Sequence, residues 1–492
     1  MSVKSKTSTS SISSKFTHDL ERGGSIPTQV TIESEKTVQP LDWDGPQDQD
    51  NPLNWPSWKR TYHTLIPSAA AVVCTIASSI YTPAVDSIVT SFSVSQEVAL
   101  LPFAFYILGL GFGPLLAAPC SETYGRRMVY LTSIPIFALF TLGAALSQDI
   151  ASLVITRFFA GIFAGPNVVI GSATIADLYK PSDRAFPMTL YIATPFCGPA
   201  IAPLIGAYAT DNLGWRWTMW ATLIMAAAVI LLALPMRETY KTVILTRRAK
   251  QRNDRRADPG TTVVEAFRSF ITTSLKRPVH MACTEPIVTL TMFYIALNFA
   301  MLYSFFAAFP EVLMQAYGFG QGQVGLTFLA IGVGALIASL IILAIDHYVF
   351  RVEVQEKGQI TPEKRLYIAM IASCLLPISL FWFGWTARSD IHWISPVLAE
   401  VVFSCGNMMI FMSFVLYLSD TYGARYTASA MTANTFLRYM LGATFPLWIL
   451  YLYKGVGTGW ATSVLAFLSL LMSPIPWVFY VWGPTLRARS KY

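Results

Sequence analysis

Twelve membrane-crossing α-helices in two sets of six, an all-α integral membrane fold, are what this sequence predicts, and three observations predict it. Charge is scarce: the 35 Lys/Arg and 28 Asp/Glu make up 13% of 492 residues, while 54% are apolar. A soluble globular chain carries about 25% charged residues. Apolar runs of spanning length recur twelve times. Thirty of the 35 basic residues fall on one side of the resulting topology. With a mean hydropathy of +0.49, a soluble enzyme, a disordered regulator and a disulfide-stapled secreted domain are all excluded.

A helix crosses ~30 Å of hydrocarbon with ~20 residues at a rise of 1.5 Å each. Twelve stretches meet this: 62–84, 98–119, 128–147, 152–177, 186–208, 217–236, 286–309, 323–345, 366–387, 392–419, 426–452 and 458–482. Residues 1–61 precede them as a polar, Ser-rich tail, expected to be disordered and lacking the pattern of a cleavable signal. Residues 62–236 then form one half and 286–482 the other. Between them, residues 237–285 carry eleven Lys/Arg against five Asp/Glu, and 483–492 close the chain.

An even number of crossings puts both termini on one side. That side holds the thirty basic residues; the opposite side has three, Arg216, Arg388 and Lys454. By the positive-inside rule both termini and the linker are cytoplasmic, in a multi-pass cell-membrane protein. The net charge of +7 therefore marks orientation in a lipid bilayer, and nucleic acid is not an expected partner. A six-plus-six division suits a secondary transporter, with a small-molecule site near the midplane between the halves.

Several chemistries find no support. The six cysteines, Cys74, Cys120, Cys197, Cys283, Cys374 and Cys405, fall singly, in no metal-ligand or disulfide spacing. GLGFGP at 109–114 lies inside an apolar run and GFGQGQVG at 318–325 in an outer loop, and neither fits a phosphate-binding loop. Five scattered histidines form no triad. The expectation is a monomer without cofactor, and not an enzyme.

The loop between the second and third spans reads PCSETYGRR. Gly125 suits a tight turn, and Arg126 and Arg127 can bridge to a carboxylate or to helix C-terminal carbonyls. An acid, Glu122, followed three residues later by Gly-Arg-Arg resembles the loop signature of the major facilitator superfamily, with Ala118 where that family often has Gly. The resemblance implies a major facilitator fold and a cytoplasmic gate at Glu122, Gly125, Arg126 and Arg127; the plainer reading is a solvated turn. The corresponding loop after Asp346 lacks the compact pattern, and no second gate is assigned there.

The fourth span reads RFFAGIFAGPN, with Gly161 and Gly165 as a small-residue packing face. Arg157 within it is a functional candidate because a charge in lipid is costly unless it faces a cavity or a partner. It resembles the Arg-x-x-x-Gly pattern of proton-coupled facilitators, which implies a role on the proton path with a carboxylate partner; a structural Arg bonded to carbonyls is the alternative. The fifth span, GPAIAPLIGAY, places Gly198, Pro199, Pro203 and Gly206 on neighbouring turns, where prolines loosen the helix and glycines permit close approach. It resembles the antiporter signature, with Ala202 for its middle Gly.

NPLNWPSWKR, GSATIADLYKPSDRAFPM, PMRETY and SFVLYLSDTYGARYTASAMTANTFLRYMLGATFPL extend the likeness over roughly residues 50–485, to the fungal drug:proton antiporters with twelve spans. That resemblance implies export of a drug, toxin or polyamine driven by protons; a proton-linked importer of a nutrient or polyamine, or a membrane receptor of this fold without flux, is the alternative. Further proton-path candidates are Asp86, near the outer end of the first span, and Glu400 with Arg438, which depth along their helices brings to a similar level as a possible ion pair. Phe103, Tyr106, Phe196, Tyr294, Phe305 and Phe306 are candidates to line an apolar substrate cavity, with packing as the alternative for each. His63 is expected at the interface.

Overall fold

Each apolar run of the sequence buries its own backbone hydrogen bonds by becoming a helix, the only open-chain solution in lipid. The computed structural model describes residues 41–180, 183–252, 272, 276–357 and 361–490. The N-terminal tail before residue 41 and most of the linker beyond residue 252 lie outside these residues, as does the end of the C-terminal tail. No strand occurs among the described residues.

In chain order the first half comprises α1 (Ser57–Phe92), α2 (Gln96–Thr123), α3 (Arg126–Ala145), α4 (Ile150–Leu178), α5 (Ala185–Leu213) and α6 (Arg216–Ala233). The second comprises α7 (Pro286–Tyr317), α8 (Gln321–Glu353), α9 (Pro362–Thr386) and α10 (Ile394–Gly423), then the run Tyr426–Ala488. Among the described residues, eleven runs are thus long and apolar enough to cross a membrane. The last, at 63 residues, would be ~95 Å long if straight, about three bilayer cores. Gly457, at φ 78° and ψ 163°, interrupts it, dividing it into α11 and α12 and giving twelve crossings. Gly423, at φ 60°, makes the matching turn between α10 and α11.

Within the first half, α2 and α4 meet through glycine. A Cβ on Gly113 would lie 2.7 Å from the Gly165 Cα, and one on Gly161 would overlap the Tyr106 carbonyl. Outward faces carry exposed Leu139, Ile224, Leu231, Leu340, Ile378 and Leu471, a distribution that suits lipid and not water. The basic linker begins as a helix, Lys241–Gln251, whose Val243, Leu245 and Ala249 are buried. The end of the bundle holding this helix is termed the basic end, and the opposite end the far end.

Candidate functional site

At the basic end, the turn between α2 and α3 is built around a carboxylate from beyond α6. Gly125 adopts φ 93° and ψ 167°, a region open essentially to glycine alone. Its missing side chain leaves room for Glu238, whose carboxylate a Cβ would overlap. The Glu238 oxygens accept the backbone N–H groups of Arg126 at 2.8 Å and Arg127 at 3.2 Å, and of Thr239 and Tyr240 at 3.0 Å each. An anion there also meets the positive end of the α3 dipole. The Arg126 side chain crosses to Asp177 at the end of α4 (3.2 Å), donates to Ser121 Oγ (2.6 Å) and lies over the Tyr240 ring.

Glu122, the acid named from the loop pattern, is exposed and forms no ion pair with either arginine among the described residues. Asp177 and Glu238 occupy the role instead. Both lay within sequence stretches that carried the family resemblance, ADLYKPSDR and PMRETY, but their contacts span 51 and more than 110 residues and no local spacing reveals them. His63, near the start of α1, is buried: its Nε2 accepts the Arg237 N–H at 3.0 Å, pinning the segment that presents Glu238, while Nδ1 lies 2.8 Å from the Lys59 carbonyl.

The second half repeats this arrangement where the sequence offered no pattern. Arg365, in the first turn of α9, pairs with Asp420 near the end of α10 at 2.9 Å, as Arg126 at the start of α3 pairs with Asp177. Glu363 receives Arg487 of α12 at 2.8 Å, so here the terminal span supplies the cation where the segment after α6 supplied an anion. Reversed polarity and a longer loop hide the repeat from a motif search.

Near the middle of the bundle the two halves touch. Ser78 of α1 and Tyr303 of α7 share a hydrogen bond of 3.2 Å. Phe103 lies against Tyr303 and Phe196 against Phe411, with ring centroids 6.0 and 6.2 Å apart. Gly111 of α2 lets Tyr439 of α11 approach, where a Cβ would come within 2.9 Å of the tyrosine. Toward the far end, Lys454 donates to Gln96 at 3.0 Å. There a narrow cleft opens between the halves, lined by Asp86, Gln96, Leu100, Phe306, Glu311 and Gln321 among others.

Of the six aromatic cavity candidates, Phe306 lines this cleft and Phe103 and Phe196 lie on the seam. Tyr106, Tyr294 and Phe305 pack inside their own halves: the Tyr106 hydroxyl donates to the Cys74 carbonyl, Tyr294 meets Phe414, and Phe305 stacks on Phe309. The α5 motif works mainly within the first half. A Cβ on Gly198 would overlap Thr75 Oγ1, one on Gly206 would overlap the Ile80 carbonyl, and the Pro199 carbonyl accepts from Ser79. Pro203 belongs to the seam, its carbonyl facing Gly325 of α8. Despite three internal prolines, α5 is continuous from Ala185 to Leu213.

The intramembrane charges do not pair as expected. Arg157 is 1% exposed and has no carboxylate within ion-pair distance among the described residues. Its guanidinium donates to the Ala77 carbonyl at 2.8 Å and lies over the rings of Tyr106 and Tyr81. Arg438 and Glu400 also form no pair. Arg438 sits against Phe299, Phe411 and Tyr439, each ring centroid 4.8–4.9 Å from its Cζ. Glu400 is eleven residues along α10 from Phe411, ~16 Å away. The depth argument failed because it assumed ~30 Å spans, whereas α11 extends from Gly423 to Gly457, ~50 Å. Glu400 itself is 2% exposed, and its Oε1 has no partner among the described residues.

Comparison with known proteins agrees with this architecture. The profile of the Major Facilitator Superfamily matches residues 68–446. The chain is 36% identical to Polyamine transporter 4 of Saccharomyces cerevisiae, covering 99% of this chain and 78% of that protein. It is 37% identical to a citrinin biosynthesis cluster MFS transporter of Monascus ruber, covering 95% and 94%. To an efflux pump of Gibberella moniliformis it is 36% identical, covering 91% and 76%. Among solved structures, a proton:xylose symporter superposes with a TM-score of 0.64 at 16% identity, over 87% of this chain and 97% of that one, which speaks to the fold. Fold, repeat and sequence together place this chain in the Major Facilitator Superfamily, as a multi-pass membrane transporter and not an enzyme.

Proposed function

We propose that this transporter exports a small amphipathic organic compound from the cytoplasm in exchange for protons, by alternating access across the plasma membrane. Relatives that are efflux pumps and biosynthesis-cluster transporters support the direction. Glu400 carries the proton-coupling part of the reading. An ionised carboxylate buried without a counter-charge is costly, so its proton occupancy depends on which way the cavity opens. Coupling requires that protonation and substrate favour opposite orientations. Arg157, lacking a carboxylate, serves in this reading to hold α1 against α4. The Arg126–Asp177–Glu238 and Arg365–Asp420 clusters stiffen matching corners of the two halves at the cytoplasmic end, and Glu122 and Arg127 remain available for contacts between halves in the other orientation.

A second reading, transport of a polyamine, is favoured by the carboxylates of Asp86 and Glu311 in the far-end cleft and by the yeast relative. Everted membrane vesicles decide between them. With an imposed pH gradient, tritiated 2-naphthalenesulfonate, 2-naphthylmethanol and spermidine are offered in turn, with vesicles lacking the protein as control. Gradient-dependent accumulation of a naphthyl probe, abolished in Glu400→Gln while binding persists, is the expected result. Undiminished pumping by Glu400→Gln overturns the proton assignment, accumulation only in right-side-out vesicles overturns export, and accumulation of spermidine alone selects the second reading.

A further inference from the structure

Arg438 lies near the midpoint of α11, at the seam of the two halves. Its cage draws on three spans of the second half: Phe299 from α7, Phe411 from α10 and Tyr439 from α11 itself. The first half closes on the same group of rings, since Phe196 of α5 meets Phe411, and Phe299 meets Tyr303, which hydrogen-bonds Ser78 of α1. Gly442, one turn beyond Arg438, admits the Phe299 ring, where a Cβ would come within 2.9 Å.

Ring faces attract the guanidinium but offer few acceptors for its five N–H donors. The Nε is buried without a partner, and no carboxylate lies within ion-pair distance among the described residues. A neighbouring amide is also unsatisfied: Asn434, one turn before Arg438, is 2% exposed and its Nδ2 has no partner among the described residues. The carboxylates of the same helices are remote: Glu311 is twelve residues from Phe299, ~18 Å along α7, while on α10 Glu400 is ~16 Å from Phe411 and Asp420, held by Arg365, is ~14 Å from it in the other direction. Arg157 differs, being sealed inside the first half with a carbonyl partner, whereas Arg438 is half-buried. The seam therefore holds a positive charge, a spare amide and flat apolar walls, with no resident anion among the described residues.

We propose that Arg438 is the anchoring charge for an anionic group on the transported compound, so that the substrate is an aromatic organic acid. Its carboxylate or sulfonate takes the N–H donors of Arg438, and its rings lie among Phe299, Phe411 and Phe196. This rests on the export reading for the location of the site, and it chooses an anion over a polyamine, which Arg438 repels.

Binding in nanodiscs without a pH gradient tests the charge preference apart from direction and coupling. Tritiated 2-naphthalenesulfonate is the probe, with 2-naphthylmethanol and (2-naphthylmethyl)trimethylammonium as neutral and cationic competitors of the same body. The wild type is expected to bind the sulfonate at least tenfold more tightly than the alcohol, and the ammonium most weakly. Arg438→Gln is expected to lose tenfold or more for the sulfonate and less than threefold for the alcohol, while Arg438→Lys retains part of the preference. Equal losses for sulfonate and alcohol would make Arg438 a structural residue and overturn the proposal. So would wild-type binding of the ammonium as tightly as the sulfonate, or failure of the wild type to bind the sulfonate at all; these need no variant to fold. A protein that binds the sulfonate but moves none in everted vesicles keeps this inference and loses the export reading.

Discussion

Replacing Gly125 by Ala puts the geometry of the basic-end turn to a quantitative test. Two costs are separable. The backbone at φ 93° and ψ 167° is strained for any residue with a Cβ, by about 2 kcal/mol. The new Cβ would also fall on the Glu238 carboxylate, breaking its bonds to the Arg126 and Arg127 amides. At ~1.5 kcal/mol for each charge-assisted bond this adds about 3 kcal/mol. The total is about 5 kcal/mol. With an unfolding entropy of ~2.1 cal/mol/K per residue, the described chain of about 420 residues would lose on the order of 5 °C in melting midpoint. Thermal unfolding in detergent, followed by tryptophan fluorescence, measures this. Glu238→Ala alone removes these two bonds and those from the Thr239 and Tyr240 amides without the strain, and is expected to cost about 6 kcal/mol. The double variant should then cost about 8 kcal/mol, a shortfall from additivity of about 3 kcal/mol. A silent Gly125→Ala, or strictly additive costs, would refute the reasoning, because either result means the carboxylate does not occupy the space the glycine leaves.

Two further predictions concern the same end of the molecule. Arg248 of the linker helix binds Asp48 at 2.6 Å, Arg252 binds Asp44 at 2.8 Å and Lys241 binds Asp42 at 2.7 Å, clasping the segment before α1. The Arg248 hydrogen bonds hold the Asp48 carboxyl well below its ordinary value of 3.8. A depressed folded-state value means that the clasp is fully present above the unfolded value and lost as pH falls through the folded one. Amide exchange over 42–54, corrected for intrinsic rate, should be flat from pH 7 to 5 and rise only below about pH 4, with Asp48→Asn raised throughout; loss of protection between pH 7 and 5 contradicts it. Second, Cys120 and Cys283 are exposed, and the proposed orientation, with the basic end in the cytoplasm, puts them on the cytoplasmic side. In variants retaining one of them, a membrane-impermeant maleimide should react in everted vesicles and not in intact cells; the reverse labelling would invert the topology.

The number of crossings, their order and the division into halves were legible because they depend on local composition. Lipid demands that each spanning segment satisfy its backbone alone, so runs such as 98–119 and 366–387 identify themselves without reference to any neighbour. Gly125 and Arg126 were legible too, since a turn of that geometry requires glycine. What tertiary structure alone decided is which charges meet. Asp177 and Glu238 displaced Glu122 as partners of the Gly-Arg-Arg turn, Arg365 and Asp420 formed a repeat with no matching motif, and Arg438 and Glu400 were separated by ~16 Å of helix. Rise per residue gives depth along one helix, but partnership depends on the rotation, tilt and true length of two. Those are set by side chains packing across glycines such as Gly113, Gly165 and Gly198, contacts between residues far apart in the chain.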